Sequence, residues 1–392
     1  MDLSIVFPCL NEEETLAFCI DEANASLSGS GVEYEIIVAD NGSTDRSAEI
    51  AEEGGARVVH VPERGYGAAI RGGIKEAEGT YVIFADADGS YRLCDALQLY
   101  RKAVEVNADM AIASRLKGNI EPGAMPFLHR YLGTPVLTFL INLLFRGRLS
   151  DCNAGYRCLK KEAFEAWGVR ATGMEFASEL LIKALKHKSS VVELASGLRP
   201  DRRSRAPHLR TWRDGMRHLL FIFSERPELF EWLGMVALVL SSIVQILAFV
   251  VGPTCIWQFN VFDYHSQALL IPVGCAGIQM YLFSCYLFFS GDERPSPPTR
   301  LALGLGEANL LILLLGLFAV QGIGVLWIIL RWTQADFQDL DLIRTILFVT
   351  HFLCVLGFLS IGLLGIHVFR NRYAGLLAMA SSAGRDESAP SC

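Results

Sequence analysis

Two carboxylates separated by one alanine, Asp86-Ala87-Asp88, follow the apolar run Tyr81 to Ala85, which reads as a buried strand. In an extended chain residues two apart project to one side, so both acids can face a single cation. One or two carboxylates together with substrate phosphates are the usual seat of Mg2+, whose charge offsets that building on a leaving diphosphate. Asp40 ends another strand-like run, Tyr34 to Ala39, where an α/β fold can accept hydrogen bonds from a base or a ribose. Gly42 permits a tight turn after it, Ser43 or Thr44 can cap the next helix, and Asp45 suits that helix's first turn. Gly65 and Gly67 open a further helix with small residues that let backbone approach a ligand. Their surroundings, Glu63 to Gly73, match neither the Walker pattern nor the dinucleotide fingerprint. Five arginines, Arg115, Arg130, Arg202, Arg203 and Arg205, are of the type that grips phosphate through two parallel hydrogen bonds.

These residues need a scaffold, and up to about residue 200 short apolar runs alternate with longer polar segments. That alternation is the mark of an α/β fold around a largely parallel sheet. Strands are expected at Leu3 to Phe7, Tyr34 to Ala39, Arg57 to Val61, Tyr81 to Ala85 and Met110 to Ala113, with helices at Glu12 to Leu27, Thr44 to Glu53 and Tyr66 to Glu78. From Trp232 onward the pattern changes to four apolar stretches of bilayer-spanning length: Trp232 to Val251, Leu269 to Ser290, Asn309 to Leu330 and Thr345 to Phe369. Arginines crowd the segment before the first stretch, stand at 294 and 300 between the second and third, and follow the fourth at 370 and 372, so the positive-inside rule places both termini in the cytoplasm. The amino terminus carries no secretory signal pattern. Two shorter segments, Val136 to Phe145 and Trp212 to Phe223, combine apolar residues with flanking arginines, as helices lying in the headgroup plane do; packing on the soluble domain is the other reading.

Composition agrees with a mixed chain. With 392 residues, 52% hydrophobic and 20% charged, it is too apolar for an ordinary soluble enzyme and too charged to be membrane throughout. A net charge of -7 argues against a nucleic-acid binder. The cysteines lack metal-ligand spacing and read as buried small hydrophobes in a reducing compartment.

Seven motifs in order, FPCLNEEE, VADNGSTDRS, RGYGAAIRGG, GTYVIFADADGSY, IASRLKGNIEPG, SDCNAGYRCLKKEAF and GMEFASELLIK with the trailing RPDRRSRAPHLRTWRDG, resemble family 2 glycosyltransferases of the GT-A fold, over about residues 1 to 225. The likeness is to the polyprenyl-phosphate (dolichol-phosphate) mannose or glucose synthase branch. It implies a Rossmann-like GT-A domain that binds a nucleoside-diphosphate sugar through Pro8, Asn11, Glu12, Asp40, Gly65, Gly67, Asp86 and Ala87. It further implies Mg2+ or Mn2+ at Asp86 and Asp88 with Ser90 nearby, a catalytic set of Asp86, Asp88 and Arg115, and an acceptor phosphate held by Arg115, Arg130, Arg202, Arg203 and Arg205. The chain departs from the branch at Asn41, usually Asp, at Gly89, often Asp, and at Ser90, where many mannose synthases have Gln.

The acceptor class follows from charge. A sugar hydroxyl must lose a proton as it attacks and needs a base, whereas a phosphate arrives ionised and needs cations. Polymer-forming relatives place an Asp base in an ED motif and follow it with Q-x-x-R-W; here the helix reads Glu175 to Glu179 and no such motif follows. Glu179 is thus expected to orient the sugar, fix an arginine or simply pair with Lys183 on its helix. The expected organisation is a GT-A domain over 1–205, including an interfacial helix near 129–146; a juxtamembrane helix at 206–228; a four-helix transmembrane domain at 229–372; and a disordered cytoplasmic tail at 373–392. The expected reaction is inverting transfer of glucose or mannose from UDP-glucose or GDP-mannose to undecaprenyl or dolichyl phosphate at the cytoplasmic face. The alternatives are a membrane polysaccharide synthase and a non-catalytic nucleotide-sugar-binding membrane protein. Partners would be the sugar nucleotide, the polyprenyl phosphate and the membrane, with a homo-oligomer left open.

Overall fold

The structure is a computed structural model that describes residues 1–204, 211–256, 259–290, 293–334 and 343–386. The expected acceptor residue Arg205 lies outside the described residues. The chain divides into two compact units, Met1–Glu225 and Arg226–Cys392.

The first unit is a seven-stranded sheet ordered β3-β2-β1-β4-β6-β5-β7. Its strands are β1 (Leu3–Cys9), β2 (Tyr34–Asp40), β3 (Arg57–His60), β4 (Tyr81–Phe84), β5 (Met110–Ser114), β6 (Arg157–Lys160) and β7 (Val191–Ala195). Helices α1 (Leu16–Leu27), α2 (Ser47–Glu53), α3 (Tyr66–Glu76), α4 (Ala96–Glu105), α5 (Thr134–Phe145), α6 (Lys161–Trp167), α7 (Phe176–Lys186) and α8 (Thr211–Ser224) connect and cover them. Side chains alternate along each strand: Val6, Ile37, Val82, Phe84 and Ile112 enter one core with α3, α5 and α7, while Ile5, Phe7, Val38, Ile83 and Ala111 enter the other with α1 and α4. This period of two is why the first five strands were legible as apolar runs.

β6 and β7 were not expected. β6 reads Arg-Cys-Leu-Lys, too short and too charged to announce itself, and it runs antiparallel between β4 and β5. Its Arg157 is fully buried, and its guanidinium donates to the carbonyls of Ala154 (2.8 Å), Cys152 (2.8 Å) and Ala177 (3.1 Å). A buried cation so satisfied ties the loop before β6 to α7.

Strand order reverses at β1, with β2 and β3 on one side and β4 on the other. A crevice therefore opens beyond the carboxyl ends of β1 and β4, where α/β sheets take their ligands. β4 stops one residue short of expectation, so Asp86 to Asp88 occupy a turn, with Gly89 left-handed (φ 74°), instead of continuing the strand.

The expected boundary at 205 moves to 225 because α8 packs on the first unit. Its Ile222 is buried in the core, and Ser178 and His218 Nδ1 lie 2.7 Å apart. Both of the shorter apolar helices are two-faced. In α5, Leu137 and Ile141 are buried while Val136, Phe139 and Leu143 are exposed; in α8, Ile222 is buried while Trp212, Met216 and Leu220 are exposed. Packing on the domain and offering an apolar outer face are thus compatible.

The second unit contains four helices long and apolar enough to cross a membrane: α9 (Pro227–Val251), α10 (Tyr264–Ser290), α12 (Glu307–Gln334) and α13 (Ile343–Asp386), with the short α11 (Pro297–Leu303) between α10 and α12. All four expected stretches fall inside them. An unexpected hairpin, β8 (Thr254–Ile256) with β9 (Phe259–Val261), joins α9 to α10. In the described part of the tail expected to be disordered from residue 373, α13 is helical to Asp386. Among the described residues eight cysteines are free, and Cys94 is exposed, against the expectation of burial.

α9 and α10 cross closely at Gly234 and Gly277: a Cβ on Gly234 would lie 2.5 Å from the Tyr281 nitrogen, and one on Gly277 2.6 Å from the Leu238 nitrogen. Small residues permit such approach in an apolar bundle. Gly234→Val is expected to force the pair apart and cost about 1–3 kcal/mol, read as a lower thermal unfolding midpoint in detergent; an unchanged midpoint would refute the close crossing.

Candidate active site

The crevice at the ends of β1, β2 and β4 gathers most of the expected residues. Pro8 lies near the end of β1, past the last β1–β4 pair (Val6 with Phe84), so its missing N–H breaks no ladder bond to β4. Asn11 is left-handed (φ 58°), and its side-chain oxygen accepts the Thr44 N–H at 2.7 Å. Glu12 is buried, its N–H donates to Ser47 Oγ at 2.8 Å, and its carboxylate accepts from Arg203. Asn11 to Glu14, Thr44, Asp45 and Arg203 line a cavity of about 340 Å3.

Asp40 is buried at the end of β2. Its carboxylate accepts the Ser43 N–H at 2.9 Å and lies 3.2 Å from His60 Nδ1. Burial would raise its pKa, but these hydrogen bonds outweigh burial and hold it below the ordinary value. Asn41, in the position usually held by Asp, is fully engaged in shape: its amide donates to the carbonyls of Val61 (3.0 Å) and Glu63 (2.7 Å) and accepts the Gly65 N–H (2.8 Å).

Asp86 and Asp88 come together in the turn after β4. The Tyr66 hydroxyl donates to Asp86 at 2.8 Å, and the other Asp86 oxygen would lie 2.9 Å from a Cβ on Gly155, so only glycine suits that position. Burial, then the charge of Asp88, push Asp86 up to about 7, against the opposing pull of Tyr66 and Arg203. Asp88 accepts the Ser90 N–H at 2.9 Å and the Ser90 hydroxyl at 2.6 Å. Ser90 therefore orients the Asp88 carboxylate.

These two carboxylates fit a hard divalent cation, because Asp86 carries negative charge that its surroundings leave undercompensated. Among the described residues no group of three or more His, Cys, Asp or Glu could hold a metal. An ion here would draw its remaining ligands from substrate phosphate and water, the usual pattern for Mg2+.

Several of the expected positions make contacts within the protein. Gly65 and Gly67 are explained by packing: a Cβ on Gly65 would collide with the Thr172 carbonyl, and one on Gly67 would lie 2.5 Å from the Ala171 oxygen. The Ala68 N–H near the start of α3 donates to Thr172 O at 3.1 Å, so this helix end is turned to protein. Ala87 is buried and its carbonyl accepts the Thr15 hydroxyl at 2.6 Å. Glu179 neither faces an arginine side chain nor stays on its helix surface: its carboxylate accepts the N–H groups of Arg170 (3.0 Å) and Ala171 (2.6 Å), fixing the loop that packs on Gly65 and Gly67.

Of the arginines, Arg115 is held by Asp151, with Nε and Nη2 each 2.8 Å from its carboxylate oxygens. Burial opposes the charge on each, but their pairing prevails: Arg115 is shifted up and Asp151 down. Nearby His129 is kept below its ordinary value by burial and then by the Arg115 charge. Arg130 is half-buried, 5.4 Å over the Tyr131 ring. Arg203 pairs with Glu12 and Asp88 instead, and Arg202 lies 3.7 Å over the Phe18 ring. Sequence reasoning missed Asp151, Tyr66 and His60. Asp151 lay within a quoted motif, and its signal was that an arginine entering the protein needs a carboxylate.

Because the folded-state pKa of Asp86 lies above its ordinary value, its contribution to stability is full at acid pH and is lost as pH rises through about 7. Asp86→Asn should therefore match the wild type near pH 4 and be more stable at pH 8 by roughly 4 kcal/mol, measured by thermal unfolding without ligand. Equal stability at pH 8 would show that the carboxylate is not strained by burial.

Residues 4–168 match the glycosyl transferase family 2 model. The low-salt glycan biosynthesis hexosyltransferase Agl6 of Haloferax volcanii is 32% identical over 373 residues, covering 93% of this chain and 89% of its own. Glycosyltransferase AglJ of the same organism is 30% identical over 200 residues, 50% of this chain and 63% of its own. Among solved structures, glucosyl-3-phosphoglycerate synthase from Mycobacterium tuberculosis is 22% identical with a TM-score of 0.46, over 57% of this chain and 79% of that one. With a relative aligned along nearly its whole length and the family model matching from β1 to α6, the chain belongs to glycosyltransferase family 2.

Proposed function

We propose that this chain is an inverting hexosyltransferase that moves glucose or mannose from UDP-glucose or GDP-mannose to a polyprenyl phosphate at the cytoplasmic membrane face. The observation that carries the acceptor class is Glu179. At the position of the polymerase base, its carboxylate is committed to the Arg170 and Ala171 N–H groups, which suits an acceptor that arrives already ionised. The name of the hexosyltransferase relative, aligned across nearly the whole chain, supports the donor class. The four apolar helices support membrane anchoring.

In this reading Asn11, Glu12 and Asp40 hold the nucleoside. Asp86 and Asp88 would hold Mg2+ or Mn2+, whose charge offsets that of the departing diphosphate. Ser90 and Tyr66 orient those carboxylates. Arg115, fixed by Asp151, and Arg130 hold the acceptor phosphate, one of whose oxygens forms a bond to the anomeric carbon as the bond to the diphosphate oxygen breaks on the opposite face. No proton needs removal. The exposed apolar residues of α5 and α8 would rest in the lipid headgroup layer, keeping the crevice at the height of the acceptor's phosphate.

The test is incubation of the full-length protein in nanodiscs with radiolabelled UDP-glucose or GDP-mannose and undecaprenyl or dolichyl phosphate. Label should enter the organic phase with one donor. Insoluble polymer would instead indicate a polysaccharide synthase, and no transfer a binding protein. Asp88→Ala should lower turnover by at least about 100-fold with the fold retained. Glu179→Gln should lose about 1–2 kcal/mol of stability yet keep turnover within roughly tenfold; abolished turnover in a folded variant would restore a base and remove the phosphate acceptor.

A further inference from the structure

The segment after β7 is stitched to the turn that carries the two aspartates. Leu198 bridges to Tyr91 and Ile120, the Arg199 N–H donates to Ser90 O at 2.9 Å, and the Arg202 N–H donates to Asp88 O at 3.0 Å. From this base the segment reaches α1 and the connection before it. Arg199 clamps Glu22 at 2.8 and 3.1 Å, and Ser204 donates its N–H to Glu14 at 2.7 Å. Arg203 goes deepest: its Nε donates to Glu12 at 2.8 Å, its Nη2 lies 3.6 Å from Asp88, and its side chain is only 12% exposed.

A guanidinium thus sits between a carboxylate assigned above to the nucleotide and one assigned to the cation, and it lines the cavity beside Glu12. We propose that Arg203 is the counter-cation of Glu12 and Asp88 before the donor binds, and that loading of the sugar nucleotide with its divalent ion displaces it toward the acceptor phosphate. The inference rests on the donor-site reading above.

Two cations within ion-pairing distance of Asp88 repel each other, so the guanidinium and the divalent ion compete. A long arginine side chain can leave while the backbone at 198–202 stays paired, and guanidinium binds phosphate as readily as carboxylate. Displacement would then make Arg203 available to the acceptor only once the donor is in place. Competition at one end and recruitment at the other are a coupling between sites, and such coupling is reciprocal.

The experiment is Mn2+ titration of full-length protein in nanodiscs, followed by the electron paramagnetic resonance signal of the free ion, with and without UDP. Without nucleotide, Arg203→Gln should bind Mn2+ about tenfold more tightly than wild type, while Arg203→Lys, which keeps the charge, should stay within about threefold. UDP with Mn2+ should tighten the binding of undecaprenyl phosphate to wild type by about fivefold or more and leave Arg203→Gln unaffected. Equal or weaker Mn2+ binding by Arg203→Gln would overturn the counter-cation role and leave the donor-site reading standing. Failure of wild type and both variants to bind Mn2+, even with UDP, would overturn that reading and the inference with it.

Discussion

Negative charge gathered where parallel strands end is the constraint around which the first unit is built. Glu12, Asp40, Asp86 and Asp88 converge there because β1, β2 and β4 point their carboxyl ends the same way. Each acid is given hydrogen-bond donors: Ser43 for Asp40, Tyr66 for Asp86, Ser90 for Asp88 and Arg203 for Glu12. Even so, Asp86 remains pushed up to about 7. A folded protein keeps such a group against its own stability where the charge is needed for binding. The support extends inward, since Glu179 anchors the 170–173 loop, the loop packs on Gly65 and Gly67, and α3 thereby presents Tyr66 to Asp86.

The second pole is an ion pair at the end of β5. Arg115 and Asp151 form a pair with little exposure, in which each ion meets the other's desolvation cost. One loop serves both poles: residues 151–156 carry Asp151 against Arg115 and Gly155 against Asp86, and Arg157 pins that loop through the carbonyls of Cys152 and Ala154. The antiparallel insertion of β6 makes this possible. It returns the chain between β4 and β5, so its preceding loop emerges at the carboxyl ends of both neighbours.

What the sequence by itself determined were features set by local pattern. Apolar runs of period two marked the first five strands, stretches of bilayer length marked the four long helices, and the order of the motifs marked the family. Asp40, Asp86 and Asp88 stood out as acids that follow apolar runs, and Glu12 entered through the family resemblance. Only the tertiary structure decided the rest, because it depends on contacts between residues far apart in the chain. Gly65 and Gly67 could be seen as needing no side chain, but what approaches them, a loop about 105 residues later, could not. Glu179 had the right residue type for orienting a sugar, yet backbone N–H groups eight and nine residues away claim it. Arg203 was read as a phosphate ligand from its charge alone; its partner Glu12 stands 191 positions earlier, and only folding brings the guanidinium to that carboxylate.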